Sequence, residues 1–162
     1  MANSELTFGD EEFIVSKTDL NGKITYGNAL FIQISGYTEL EIINQPHNIL
    51  RHPDMPAVVF KLLWSQVRGG KEIFAYVKNK TKVGDYYWVF AHVTPTFDSN
   101  YKITNFHSVR RKPSSKALET IKPLYAALIQ KEKSAGVAAA EEMLNKLLKD
   151  KGVSYDEFIL SL

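Results

Sequence analysis

Apolar and polar positions along the chain follow two periods, and the change from one to the other outlines the fold. Phe13-Ile14-Val15-Ser16-Lys17-Thr18 is strand-like, Asp19-Leu20-Asn21-Gly22 has turn chemistry, and Lys23-Ile24-Thr25-Tyr26 resumes a strand, so a hairpin is expected. The period then becomes helical. Asn28 stands at an N-cap position, Leu30, Phe31 and Ile34 share a face, and Gly36 is a stop. Thr38 with Glu41 three residues on is a capping box for a second short helix, closed by Pro46. A longer helix follows with Val59, Leu62, Leu63 and Val67 in helical register, Asp54 as its cap, Pro56 in its first turn and Gly69-Gly70 at its end.

Alternation returns after the glycines. Ile73, Ala75, Val77, Asn79 and Thr81 fall on one face, and Lys78, Lys80 and Lys82 on the other, before a Val83-Gly84 turn. Tyr86 to Thr94 alternates again, Asp98-Ser99-Asn100 is a turn, and Ile103 to Arg110 is the last strand. Two strands, several short helices and three strands predict an α+β domain whose antiparallel sheet carries helices on one face. Pro113-Ser114-Ser115 breaks the pattern, and Ser115 to Leu148 is helical in character. Leu118, Ile121, Leu124, Tyr125 and Leu128 form one stripe, and Ala138, Met143, Leu144, Leu147 and Leu148 another. The expected organisation is an N-terminal segment (1–12), a domain (13–112) and a helical extension (113–162) whose apolar stripes need cover, from the domain itself or from a partner.

Composition narrows the function. Hydrophobic residues make up 44% and charged residues 23% of the 162, a soluble globular balance, and the formal net charge of +2 gives no reason to expect a nucleic-acid partner. Cysteine is absent, which excludes disulfides, thiolate metal sites and cysteinyl chemistry. No apolar run suggests membrane insertion, the N-terminus lacks the features of a signal peptide, and a cytoplasmic location is expected. His47, His52, His92 and His107 show no metal-ligand spacing, and no nucleophile elbow, phosphate loop or paired catalytic carboxylates occur, so an enzyme is not expected. The lysine ladder is best explained as a solvated edge-strand face.

The stretch Arg51-His52-Pro53-Asp54-Met55-Pro56 holds more charge than a turn requires. A guanidinium and an imidazole ahead of a helix N-terminus suit an anionic group, although both would serve equally as surface cover. Trp64 lies on the same helical face as Phe60, a core or stacking pair. Asn79 is the one carboxamide on the apolar face of its strand, where burial demands a partner.

Strand-strand-helices-strand-strand-strand with Gly-Asp-Tyr-Tyr-Trp-Val opening the fourth strand resembles a PAS domain. Ile34-Ser35-Gly36-Tyr37-Thr38-Glu39-Leu40, QPHNILRHPDMP with its Phe-x3-Trp helix, and VKNKTKVGDYYWV are similar to the PAS domain of bacterial aerotaxis (energy-taxis) receptors, from about Phe13 to Tyr125. The resemblance implies the PAS fold and non-covalent FAD held between sheet and helices as a redox sensor. It brings Arg51, His52, Asp54, Phe60, Trp64 and Asn79 towards the cofactor, with Asn28 as a further contact besides its cap role. Light-sensing flavin PAS domains place asparagine where Val89 stands and glutamine where Arg110 stands. Without their reactive cysteine, adduct photochemistry is excluded, and Arg110 is expected to favour a negatively charged reduced flavin. A membrane-bound chemoreceptor-type transducer on another polypeptide is the implied partner, with a homodimer through the sheet face or the C-terminal helices as a second association. Two alternatives stand beside this: a haem gas sensor ligated by His52, and a cofactor-free interaction module.

Overall fold

A computed structural model describes residues 3–162. The elements run β1 Ile14–Thr18, β2 Ile24–Gly27, α1 Ala29–Ser35, α2 Glu39–Ile42, a 3-10 turn His47–Leu50, α3 Ala57–Arg68, β3 Ile73–Lys80, β4 Tyr86–Phe97, β5 Ile103–Arg111, α4 Ser115–Ala135, α5 Val137–Lys151 and α6 Tyr155–Leu160. The strands form one antiparallel sheet in the order β2-β1-β5-β4-β3. Helices α1 to α3 lie on one face, α4 reaches the other through Tyr125, and the hairpin of α4 and α5 wraps back to α3 while α6 packs at β3.

Local chemistry sets the early elements as expected. Asn28 caps α1 by accepting from Phe31 N–H, Gly36 ends that helix at φ 77°, and Thr38 and Glu41 form a complete capping box on α2. Asp98 accepts from the amides of Asn100 and Lys102 to close the β4–β5 turn. Period-2 alternation puts Ile14, Ser16 and Thr18 of β1, and Ile73, Ala75, Val77 and Asn79 of β3, on the inner buried face.

The start of α3 differs from expectation. Asp54 does not cap it: the N-cap residue is Pro56, which has no side-chain acceptor, and α3 begins at Ala57. Asp54 lies two residues further out and pairs with Lys78 Nζ at 2.7 Å. The acceptor comes from elsewhere in the chain. Glu132, in the last turn of α4, accepts from Ala57 N–H at 3.1 Å and from Val58 N–H at 2.8 Å.

The extension packs on the domain. Gly136 splits the expected long helix into α4 and α5, and α6 follows behind a second capping box, Ser154 with Glu157. Trp88 on the outer sheet face is met by Tyr125 of α4 at 6.1 Å between ring centroids, and the Tyr125 hydroxyl donates to Tyr76 C=O at 2.6 Å. Ile121, Leu128, Phe158 and Ile159 are buried with them. Each such side chain contributes about 1.5–3 kcal/mol on burial, ample to hold the helices down. Of the second stripe, Leu144 is buried but Ala138 is exposed, and Ala140 takes the inward position. Strand β3, at the sheet edge, has two of its outward N–H groups occupied: Phe74 N–H by Asp156 at 3.1 Å and Lys78 N–H by Met55 Sδ at 3.2 Å.

Lys78 departs from the solvated-face expectation. Its side chain is 13% exposed and lies over the Tyr86 ring at 4.3 Å. Lys82 behaves as a surface residue and pairs with Glu41 at 2.5 Å.

Candidate functional site: a basic cavity walled by aromatic side chains

A cavity of about 450 Å³ lies between the inner face of the sheet and α3, a size ordinary for a small-molecule site. Val77, Ala91 and Val93 make its apolar floor, and Phe60, Leu63 and Trp64 of α3 make its roof. The small β4 side chains leave room there for a flat ring. Trp64 meets Phe106 edge-on at 5.5 Å. Gly22, at φ 82°, lies beneath Trp64, and a Cβ there would come within 3.2 Å of the indole.

The charge of the lining is one-sided. Arg51, Lys61, Arg68 and Arg110 line the cavity, and no aspartate or glutamate does. Arg51 and Asn79 form an isolated antiparallel bridge, which fixes the RHPDMP segment to β3. The Arg51 guanidinium sits 4.4 Å from the centre of the Phe60 ring, and that of Arg68 sits 4.8 Å from Trp64, cation–π contacts that hold both at the wall.

Arg110 is the deepest cation, with 3% of its surface exposed. It lies opposite Ile14 of β1 and Ala91 of β4. Nη2 donates to Ser16 Oγ at 2.5 Å, and Nη1 donates to His47 Nε2 at 3.2 Å. Ser16 Oγ is also 3.1 Å from His47 Nε2. An imidazole nitrogen facing a guanidinium must accept, which assigns a neutral His47 with its proton on Nδ1. Burial, then the Arg110 charge, pushes the His47 pKa down to about 3. Burial likewise lowers Arg110 to about 10, so it remains a cation at neutral pH. Tyr87, whose ring is wholly buried, is pushed up to about 12 by burial.

Arg110 and Thr18 line this space, and each has one inaccessible polar atom, Arg110 Nε and Thr18 Oγ1, without a partner among the described residues. A buried donor without an acceptor costs about 1–3 kcal/mol.

A model of the PAS fold matches residues 24–110, more than half of the chain. The chain belongs to the PAS fold family. This PAS domain is 40% identical over 119 residues to the aerotaxis receptor of Escherichia coli (strain K12), across 74% of this chain and 23% of the receptor. It is 23% identical over 97 residues to a nitrogen fixation regulatory protein of Klebsiella pneumoniae, across 60% of this chain and 20% of that protein. The chain therefore spans about a quarter or less of these relatives. A solved light-oxygen-voltage domain, described with a flavin analogue, superposes at a TM-score of 0.60 with 18% identity, over 67% of this chain and 82% of the other.

Five of the eight residues expected at a cofactor line the cavity of this PAS domain: Arg51, Phe60, Trp64, Asn79 and Arg110. The other three lie outside it. His52 turns outward, meets Tyr86 edge-on at 5.9 Å and accepts from Asp54 N–H through Nδ1 at 3.0 Å. Alternate residues of an extended segment face opposite ways, so Arg51 inward sends His52 outward. His52 thus has no place as an axial haem ligand in this cavity. Asp54 is exposed and held by Lys78, whose hydrogen bond lowers its pKa. Asn28 is consumed by the backbone: its Oδ1 accepts from Val15 and Phe31 N–H, and its Nδ2 donates to Phe13 C=O.

The sequence reading passed over His47, Ser16, Thr18 and Arg68. Ser16 and Thr18 had a visible signal, since they alternate with Ile14 on the face that must be buried. His47 had none, because its role depends on Arg110, 63 residues away.

Proposed function

We propose that this PAS domain is a redox sensor that binds FAD non-covalently in the basic cavity and signals to a membrane-bound chemotaxis transducer. The observation that carries the reading is the lining: four cations, no carboxylate, and a flat apolar slot. The residues present fit a flat, anionic ligand such as a flavin dinucleotide better than a purely apolar one, which would leave the cations and polar side chains of the lining without a counterpart. Likeness to an aerotaxis receptor supports the redox and chemotaxis parts of the proposal.

Bound flavin would supply electron uptake and release. The side chains of Arg110, Thr18 and Asn79 serve its polar edge. Val77, Ala91 and Val93 support one face of the ring, and Phe60 and Trp64 cover the other. Arg68, exposed at the rim, meets the diphosphate, with Lys61 beside it in its ion pair with Glu141. Arg110 has no carboxylate to neutralise it, so it favours a negatively charged form of the bound group. A change in that charge alters the pull on Arg110, and through Ser16 and His47 on β1 and the 3-10 turn. The domain acts by binding and relay, not by turnover of a substrate.

Purified protein supplemented with FAD and freed of excess should show the two flavin absorption bands and quenched flavin fluorescence. A blank visible spectrum after reconstitution would sink the proposal, and a single intense Soret band would replace it with haem.

A further inference from the structure

Glu132 is oddly placed for its own helix. A carboxylate in the last turn of α4 faces the negative end of that helix's dipole, which disfavours it. Its position makes sense against α3, whose N-cap residue Pro56 offers no side-chain acceptor and whose first amides would otherwise be orphaned. Both carboxylate oxygens are used, one on Ala57 N–H and one on Val58 N–H.

The helix so held is the roof of the cavity. Ala57, Phe60, Lys61, Leu63, Trp64 and Arg68, all from α3, line the ligand space. A second tie runs beside the first: Lys61, at the cavity rim, pairs with Glu141 of α5 at 2.6 Å. The α4–α5 hairpin therefore grips α3 at its first turn and again one turn on. Both glutamates lie beyond residue 110, where the family match ends.

We infer that Glu132 is a positioning residue for the ligand cavity, reaching from the C-terminal hairpin to set the seat of α3, so that occupancy of the cavity and docking of the hairpin are thermodynamically linked. A ligand that presses on Phe60 and Trp64 shifts the amides that Glu132 holds. By reciprocity, anything that draws the hairpin away loosens the roof and lowers ligand affinity by the same factor. This linkage rests on the cavity being a ligand site, as proposed above, but the clasp itself exists without ligand.

The test combines two measurements on the full chain with Glu132→Ala and Glu132→Gln. Amide hydrogen exchange without ligand should rise across residues 57–60 in Glu132→Ala, with β4 and β5 protected as before, and rise less in Glu132→Gln, which keeps one acceptor oxygen. FAD titration followed by flavin fluorescence should weaken about fivefold in Glu132→Ala, at the low end of ordinary site-to-site coupling. Unchanged exchange at residues 57–60 would show that the clasp is not made and overturn the inference. Raised exchange with unchanged FAD affinity would reduce Glu132 to a helix cap and overturn the positioning role. If the unaltered protein bound no FAD, the sensor reading and the linkage to it would both fail, while the exchange arm would still decide the clasp.

Discussion

Arg110 donates to Ser16 Oγ at 2.5 Å from one end of its guanidinium and leaves Nε, at the other, without a partner among the described residues. A cation with 3% exposure and no carboxylate beside it is expensive to bury. Fold stability alone does not explain its presence, and the proposed ligand would. Arg110→Met, similar in length and uncharged, should leave unfolding stability unchanged or raise it by about 1–3 kcal/mol, while retained flavin falls at least tenfold. Chemical denaturation and flavin content of the same preparations check this. A destabilised variant that still bound flavin would show that Arg110 serves the fold instead.

His47 gives the protein an acid-side weakness. Its folded pKa, about 3, lies below the ordinary histidine value, so the unfolded chain binds the proton first as pH falls. The contribution of neutral His47 is complete above about pH 6.5 and is lost progressively below it, towards pH 3, with a limiting slope of about 1.4 kcal/mol per pH unit. His47→Asn removes that titration. Urea unfolding between pH 7.5 and 4 should fall less steeply in the variant than in the parent, and parallel slopes would contradict the buried neutral imidazole.

Gly22 holds the floor under Trp64. Gly22→Ala places a Cβ at 3.2 Å from the indole at a backbone φ of 82°, for a cost of about 1–2 kcal/mol from the left-handed conformation alone. The indole must move as well, so thermal unfolding should come earlier and the intrinsic fluorescence should change. An unaltered melting temperature would refute the close approach.

Asp54 and Asn28 separate binding from scaffolding. Asp54→Asn removes the charge from a pair whose carboxylate is exposed but whose Lys78 is largely covered, and should cost about 1 kcal/mol, with flavin content unchanged because the side chain faces away from the cavity. Asn28→Ala breaks three backbone hydrogen bonds, one of them an N-cap, and should cost about 1–2 kcal/mol. Equal loss of flavin in both variants at full stability would return these residues to the binding site.

The sequence made local features legible and hid those that depend on distance along the chain. The capping box at Thr38 and Glu41, the Gly36 stop and the strand faces follow from neighbours within four residues, and each is present. The five cavity residues Arg51, Phe60, Trp64, Asn79 and Arg110 combine strand or helix phase with the resemblance, and phase survives folding. Asp54 misled because Asp ahead of a helix is a common cap, whereas here Pro56 takes the cap position and a carboxylate 75 residues downstream does the work. Lys78 misled because a ladder of lysines suggests solvent, whereas Tyr86 and Asp54 enclose one of them. The box at Ser154 and Glu157 was as legible as the one at Thr38 and Glu41.

The returning chain end has a consequence for the solution behaviour of the molecule. Strand β3 would otherwise offer a row of free amides along the sheet margin, and Asp156 occupies the one at Phe74 while α6 lies across its flank. Such a margin is a template for strand addition by another copy. The extension that clasps the cavity roof through α4 and α5 therefore also shields the β3 margin through α6, and shortening the protein to residue 112 would bare that margin to strand addition.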